Sequence, residues 1–271
     1  MRVGAVDSKG AIRQHDVLVR TLRSLGAIVH DVPFVHGAFD SVFSKDNAVI
    51  VERAHGSIEA FLARPRHPER RVEQRARAQA LASLGVRVTG HTKRHLEGGD
   101  VVMLPGGRGA FLGHGFRSHA RAADELERFL ERGVTCLELR DPHLYHLDMA
   151  VSVLDDGTAL VCDDALTPEA RRAVEGHPAI QSVIHVPRDE AMRFGVNLVQ
   201  VGRTIVWGAD APATTRRLEA EGYEVRHVPL GQFHLAGGSA ACLVSRVHCQ
   251  SVATVRSIDS DVESAPESTA A

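Results

Sequence analysis

Five times along this chain a helix-like stretch runs into a glycine and a strand-like apolar run follows, and that recurrence constrains the fold more than any other feature. Leu22 to Gly26 leads into Ala27-Ile28-Val29, and Leu81 to Gly85 leads into Val86-Arg87-Val88. Leu126 to Gly133 leads into Val134-Thr135-Cys136-Leu137, and Leu218 to Gly222 into Tyr223-Glu224-Val225. A weaker copy, Arg171 to Gly176, precedes Ile180-Gln181-Ser182-Val183-Ile184. Each predicts an amphipathic helix closed by a glycine in the left-handed conformation, then a strand. The glycines recur at intervals of 43 to 59 residues. Between them lie further apolar runs: residues 47–51, 101–104, 109–113, 151–154 and 204–207. A strand-strand-helix-strand unit at this period predicts radial or solenoid repetition within one domain. A doubly wound α/β sheet also alternates helix, glycine and strand, so the pattern alone leaves both architectures open.

Composition narrows the class of partner. With 271 residues, 44% of them hydrophobic, and a formal net charge of −2, the chain can bury a large core and has no basic footprint for nucleic acid or anionic membrane. No apolar run approaches the roughly 20 residues of a membrane span. Met1 to Val6 reads as a first strand rather than a signal peptide, so a cytoplasmic setting is expected. Residues 1–249 are expected to form a single catalytic domain. From Gln250 onward large apolar groups thin out, which predicts a disordered tail over 250–271. Cys136, Cys162, Cys242 and Cys249 form no Cys-x-x-Cys pair, which argues against a structural zinc site. By default three of the four are small buried hydrophobes.

Four segments carry chemistry, each just before a strand-like run. They are Asp40-Ser41-Val42-Phe43-Ser44-Lys45-Asp46, His95-Leu96-Glu97-Gly98-Gly99-Asp100, Asp141 to Asp148, and Gly237-Gly238-Ser239-Ala240-Ala241-Cys242. Two glycines beside Glu97 allow close backbone approach and can aim the carboxylate into a cavity. In an extended segment His146 and Asp148 would project together, with His143 out of step. Cys242 is expected at the start of an apolar strand. Taken singly, each segment is more simply a surface turn, a half-buried histidine or a structural cysteine. Their shared placement argues otherwise, because equivalent strand ends in a radial fold converge on the axis. They would then bring one cysteine, one histidine and at least three carboxylates into one cavity. A guanidinium is planar and permanently cationic, and carboxylates hold its edges. Its carbon is a poor electrophile that calls for a thiolate, and a histidine can protonate the departing amine and later activate water. No helical His-x-x-x-His with a third ligand occurs among the 16 histidines; His91 and His95 flank a loop-like Thr92-Lys93-Arg94.

These motifs, with Arg64 to Glu73, Phe111-Leu112-Gly113, Arg117-Ser118 and His146-Leu147, resemble the guanidine-modifying superfamily, the penteins, over residues 40 to 247. Dimethylarginine dimethylaminohydrolases are the members most resembled, with features of arginine deiminases and amidinotransferases. The resemblance implies a five-bladed α/β propeller of ββαβ units and a hydrolase of the guanidino C–N bond that needs no cofactor or metal. It implies Cys242 as nucleophile and His146 as general acid and base. Asp46, Glu97 and Asp148 would hold the guanidinium. Arg70 and Arg117 would take the substrate α-carboxylate, and Asp40 its α-amino group. Two positions depart from the dimethylargininase pattern: Lys45 stands where glutamate is common, and Asp148 where lysine is usual. Aspartate there is the deiminase and amidinotransferase pattern, and it favours a guanidinium with free N–H donors on both sides. An amidinotransferase shares the first half-reaction. A non-catalytic propeller, like the ribosome anti-association factors, would lack the cysteine, histidine and carboxylates present here. The expected partner is a small guanidino substrate, and a homodimer is compatible with the sequence but not specified by it.

Overall fold

A computed structural model describes residues 6–249 of the chain. After helix α1 (Ser8–Ser24) come four units of the same construction. The first is β1 (Ala48–Glu52), β2 (Ile58–Leu62), α2 (Glu73–Ser83) and β3 (Arg87–His91). The second is β4 (Val101–Met103), β5 (Ala110–His114), α3 (Ala123–Leu130) and β6 (Val134–Glu138). The third is β7 (Val151–Val153), β8 (Thr158–Val161), α4 (Pro168–Glu175) and β9 (Ser182–His185). A short helix α5 (Arg188–Ala191) leads to the fourth: β10 (Val199–Val201), β11 (Thr204–Trp207), α6 (Pro212–Ala220) and β12 (Glu224–His227). Helix α7 (Gly231–Ala236) and β13 (Val247–Cys249) follow.

Within each unit the first two strands form an antiparallel hairpin and the third returns parallel to the second, after the crossover helix. The central strand is therefore buried on both sides, and β5, β8 and β11 carry Phe111, Leu160 and Trp207 fully inside. Four separate sheets result, and β13 adds to the first as a parallel neighbour of β1. Among the described residues no fifth sheet forms: β13 joins the first sheet, and Ala27-Ile28-Val29, expected as a strand after Gly26, is not one, with Ile28 exposed. The expected first strand lies mostly in residues 1–5, and the expected tail at 250–271; both fall outside the described residues.

The first strand of every unit, with β13, lines one cavity of about 410 Å³. This common lining is what a radial arrangement about one axis produces, and it decides against the doubly wound sheet. No helix among the described residues is long and apolar enough to cross a membrane.

Two local expectations need correction. Gly26, Gly85 and Gly222 are left-handed as expected, but Gly176 is not, and α3 is closed by Glu131 in the left-handed region rather than by Gly133. Helix α2 is not amphipathic in the usual sense. Its buried stripe is Glu73, Arg77 and Leu81, two charges and one leucine at helical spacing. The charges face inward because they have partners in the turn before β1.

Candidate active site

The site is assembled from turns rather than strands. A single 3₁₀ turn precedes the first strand of the first three units, at Ser44–Asn47, Gly98–Asp100 and Leu147–Met149, and another spans Ala241–Leu243. Asp46 and Asp148 lie inside such turns, and Glu97 and His146 immediately before them. The expectations for His146, Asp148 and Cys242 are corrected accordingly. His146 and Asp148 are placed by a 3₁₀ turn and not by strand alternation, and Cys242 lies in its own turn, upstream of β13. A tight turn re-aims its carboxylate or thiol toward the axis, which a flat strand end would not do.

Gly98 and Gly99 explain how closely the turns meet. A Cβ on Gly98 would lie 1.9 Å from the Lys45 carbonyl oxygen, and one on Gly99 2.7 Å from His146 Nδ1 and 2.8 Å from Asp46 Oδ1. The Gly99 N–H donates to Asp46 Oδ1 at 2.9 Å. Behind them, buried Asp100 joins the second unit to the third by accepting from the backbone N–H groups of Ser118 and Leu147, both at 3.0 Å. Burial raises the Asp100 carboxyl to about 7.

The expected residues come together. His146 Nε2 is 2.8 Å from Glu97 Oε2, and its Nδ1 is 3.9 Å from Asp46 Oδ1. Cys242 Sγ lies 4.0 Å from Asp148 Oδ2. Each of the three carboxylates expected to hold a guanidinium already carries a cation of the protein. Arg70 pairs with Asp46 at 2.6 Å, Arg117 with Glu97 at 3.0 Å, and Lys45 with Asp148 at 2.8 Å. The two departures from the dimethylargininase pattern are thus one feature, a salt bridge with lysine from the first unit and aspartate from the third. The other oxygen of Asp148, Oδ1, is buried and has no hydrogen-bond partner among the described residues. Lys45 and Asp148 also line the axial cavity, whereas Cys242, His146, Glu97 and Asp46 are not among its lining residues.

The substrate-end residues divide. Asp40 is half-buried and near enough to Arg70, Glu73, Asp46 and Arg117 to feel their charges. Arg117 is partly exposed and lies over the Tyr145 ring, 4.5 Å from its centroid. Arg70 is buried, with Nε and Nη2 on Glu73, Nη1 on Asp46, and Nη2 also donating to the carbonyls of Asp40 and Phe43. In this arrangement it is a counter-ion within the protein and not an open hook for a carboxylate.

Electrostatics set the protonation states. Burial works against an imidazolium at His146, but Asp46 and the Glu97 hydrogen bond outweigh it and raise the group to about 9. Glu97 is held well below the usual carboxylate range, because His146 and Arg117 overcome its own burial. Burial, then Asp148 and Asp46, push the Cys242 thiol far up, against the opposing pull of the Ser239 backbone N–H and Lys45. At neutral pH the free site therefore holds an imidazolium and a thiol. Asp46, Glu97 and His146 offer ligand atoms within 4.8 Å of one another, a spacing that would suit a cation, though hydrogen bonds and ion pairs already engage them. Of the four cysteines, all free thiols, Cys162 and Cys242 are buried while Cys136 and Cys249 are exposed, against the expectation of three buried ones.

One residue of the site escaped the sequence reading. Asn197, two positions before β10, donates through Nδ2 to Cys242 Sγ at 3.2 Å and accepts the Ala241 N–H at 2.9 Å. The repeat offered the signal: the fourth unit should also contribute a polar residue just before its first strand.

A radial ββαβ fold whose strand-entry turns bring a cysteine, a histidine and three carboxylates together defines a guanidine-modifying enzyme of the pentein class. More particularly, the chain belongs to the family described as N,N dimethylarginine dimethylhydrolase, eukaryotic, whose model matches residues 4–249. An N(G),N(G)-dimethylarginine dimethylaminohydrolase of Mycobacterium tuberculosis (strain ATCC 25618 / H37Rv) is 34% identical over 243 residues, covering 90% of this chain and 78% of that one. The N-terminal domain of ArgZ bound to product, an arginine dihydrolase from the ornithine-ammonia cycle in cyanobacteria, is 27% identical with a TM-score of 0.83, covering 91% of this chain and 89% of that one. A variant of that domain covalently bound to a reaction intermediate gives the same TM-score and coverage at 28% identity.

Proposed function

We propose that residues 1–249 form a cytoplasmic hydrolase of arginine or an N-methylated arginine that works through a covalent intermediate on Cys242. The observation that carries this is the cluster of Asp46, Glu97 and Asp148 around the Cys242 and His146 side chains. The guanidinium competes with the internal cations for the oxygens of these carboxylates, and its charge beside Sγ favours the thiolate that burial otherwise suppresses. The thiolate, its proton released to bulk water as the guanidinium binds, bonds to the guanidinium carbon. The C–N bond then breaks as the imidazolium of His146 gives its proton to the leaving ammonia or alkylamine. Neutral His146 next takes one proton from water attacking the thiouronium carbon, and collapse expels the thiolate, which takes up the remaining hydroxyl proton as the ureido product forms, citrulline if the substrate is an arginine. Arg117, partly exposed, and Asp40, half-buried, take the amino-acid end. Lys45 leaves Asp148 one free acceptor oxygen, so that edge of the substrate needs one N–H donor, which a singly methylated nitrogen still supplies.

Cys242→Ala should abolish ureido product while the fold persists; turnover near the wild-type rate would end this reading. His146→Ala should be inactive, and acid quenching of wild-type turnover should trap the adduct on Cys242, read as added mass.

A further inference from the structure

We infer that Asn197 is a positioning residue for the nucleophile, its amide N–H directed at the Cys242 sulfur as the donor that favours the thiolate. The inference rests on Cys242 being the nucleophile. The amide is wholly buried, and its orientation is fixed by chemistry. The Ala241 N–H can only donate, so the group 2.9 Å away must be Oδ1; Nδ2 then faces Sγ at 3.2 Å, and it also donates to the Asp148 carbonyl at 3.3 Å. The acceptor and both donor directions of the side chain are thereby engaged. One contact grips the turn that carries Cys242, another the turn that carries Asp148, and a third the reacting atom.

The surroundings make that donor matter. Asp148 and Asp46 both oppose a negative sulfur, and burial opposes it more. Against them stand Lys45, the Ser239 N–H and Asn197. A neutral donor aimed at the sulfur stabilises S⁻ far more than a sulfur bonded to carbon, because the covalent intermediate leaves a weak acceptor. Asn197 therefore acts where the thiolate forms and again where it is expelled, and contributes little while the adduct persists. It is also the fourth unit's member of the set, entering before β10 as Asp46 enters before β1 and Asp148 before β7.

The test is alkylation of Cys242 by iodoacetamide without substrate, followed site by site by mass spectrometry, with exposed Cys136 as internal reference. Asn197→Asp keeps the acceptor for Ala241 and replaces the donor; Asn197→Ala, which buries no charge, serves if the first does not fold. Below the thiol pKa a rise of one unit cuts thiolate tenfold, partly offset by greater nucleophilicity, so Cys242 should react about three- to tenfold more slowly at each pH. Cys136 should be unchanged. With substrate, kcat should fall roughly 10- to 100-fold while KM stays within about threefold. A folded variant whose Cys242 alkylates at the wild-type rate overturns the assignment, even if activity falls. Cys242→Ala, run in parallel, separates the two failures: active Cys242→Ala removes the nucleophile itself, whereas inactive Cys242→Ala beside an unaltered Asn197 variant removes only the role of Asn197.

Discussion

At the scale of single residues, the site is an arrangement of opposed charges in which each group's protonation depends on its partner. In the proposed reaction His146 must be charged to release the first amine, and its group is raised to about 9, so the proton is present at neutral pH and lost as pH climbs through that value. The kcat/KM profile should fall above about pH 9. Glu97→Gln removes the hydrogen-bonding carboxylate, so this limb should move toward the ordinary histidine value near 6.5, visible in kcat/KM measured from pH 6 to 10. Lys45 acts in two directions. It pairs with Asp148, where in the proposed reaction it competes with the substrate, and it favours the Cys242 thiolate. Lys45→Met should therefore lower both KM and kcat for arginine, a paired change that loss of folding would not mimic. An unchanged KM would show that the salt bridge does not oppose substrate entry.

At the scale of elements, the 3₁₀ turns matter more than the strands they feed. Neither Gly98 nor Gly99 has a positive φ, so their need for glycine is close approach and not backbone conformation. Gly99→Ala would press a methyl group on His146 and Asp46, and should cost activity by about 10² or more with a modest change in thermal midpoint. Gly98→Ala would meet the Lys45 backbone at a distance no side-chain rotation relieves, and should lower the midpoint by far more. Thermal unfolding and kcat on the two variants check the contrast. These close contacts were legible as a double glycine beside Glu97, and the strands were legible as apolar runs. The turns were not, because Leu147-Asp148-Met149 and Ala241-Cys242-Leu243 have no pattern that separates one helical turn from a strand edge. Asn197 lies in Gly195-Val196-Asn197-Leu198, where no local motif marks it and the repeat alone offers a signal. The internal partners of Arg70 were only half legible for a related reason: Glu73 is one helical turn away in sequence, but Asp46 reaches it only through the tertiary fold.

At the scale of the whole molecule, a buried polar network ties α2 to the site. Arg70 bridges Asp46 and Glu73, Asn47 donates to Glu73, and Arg77 Nε donates to Asn47 Oδ1. Removing one member leaves uncompensated charge indoors, so Arg70→Ala should destabilise the fold by about 3–5 kcal/mol, measured as a shift of the urea midpoint. A loss below about 1 kcal/mol would show that water reaches the network. Urea is the right agent for a reason that lies in the three acidic side chains and their resident cations. A cleft shaped around a planar cation treats the free guanidinium ion as a ligand before it treats it as a denaturant. At low concentration that salt should slow alkylation of Cys242 and raise the melting temperature, and only at higher concentration unfold the chain, so an unfolding curve taken in it would record inhibition and denaturation superimposed.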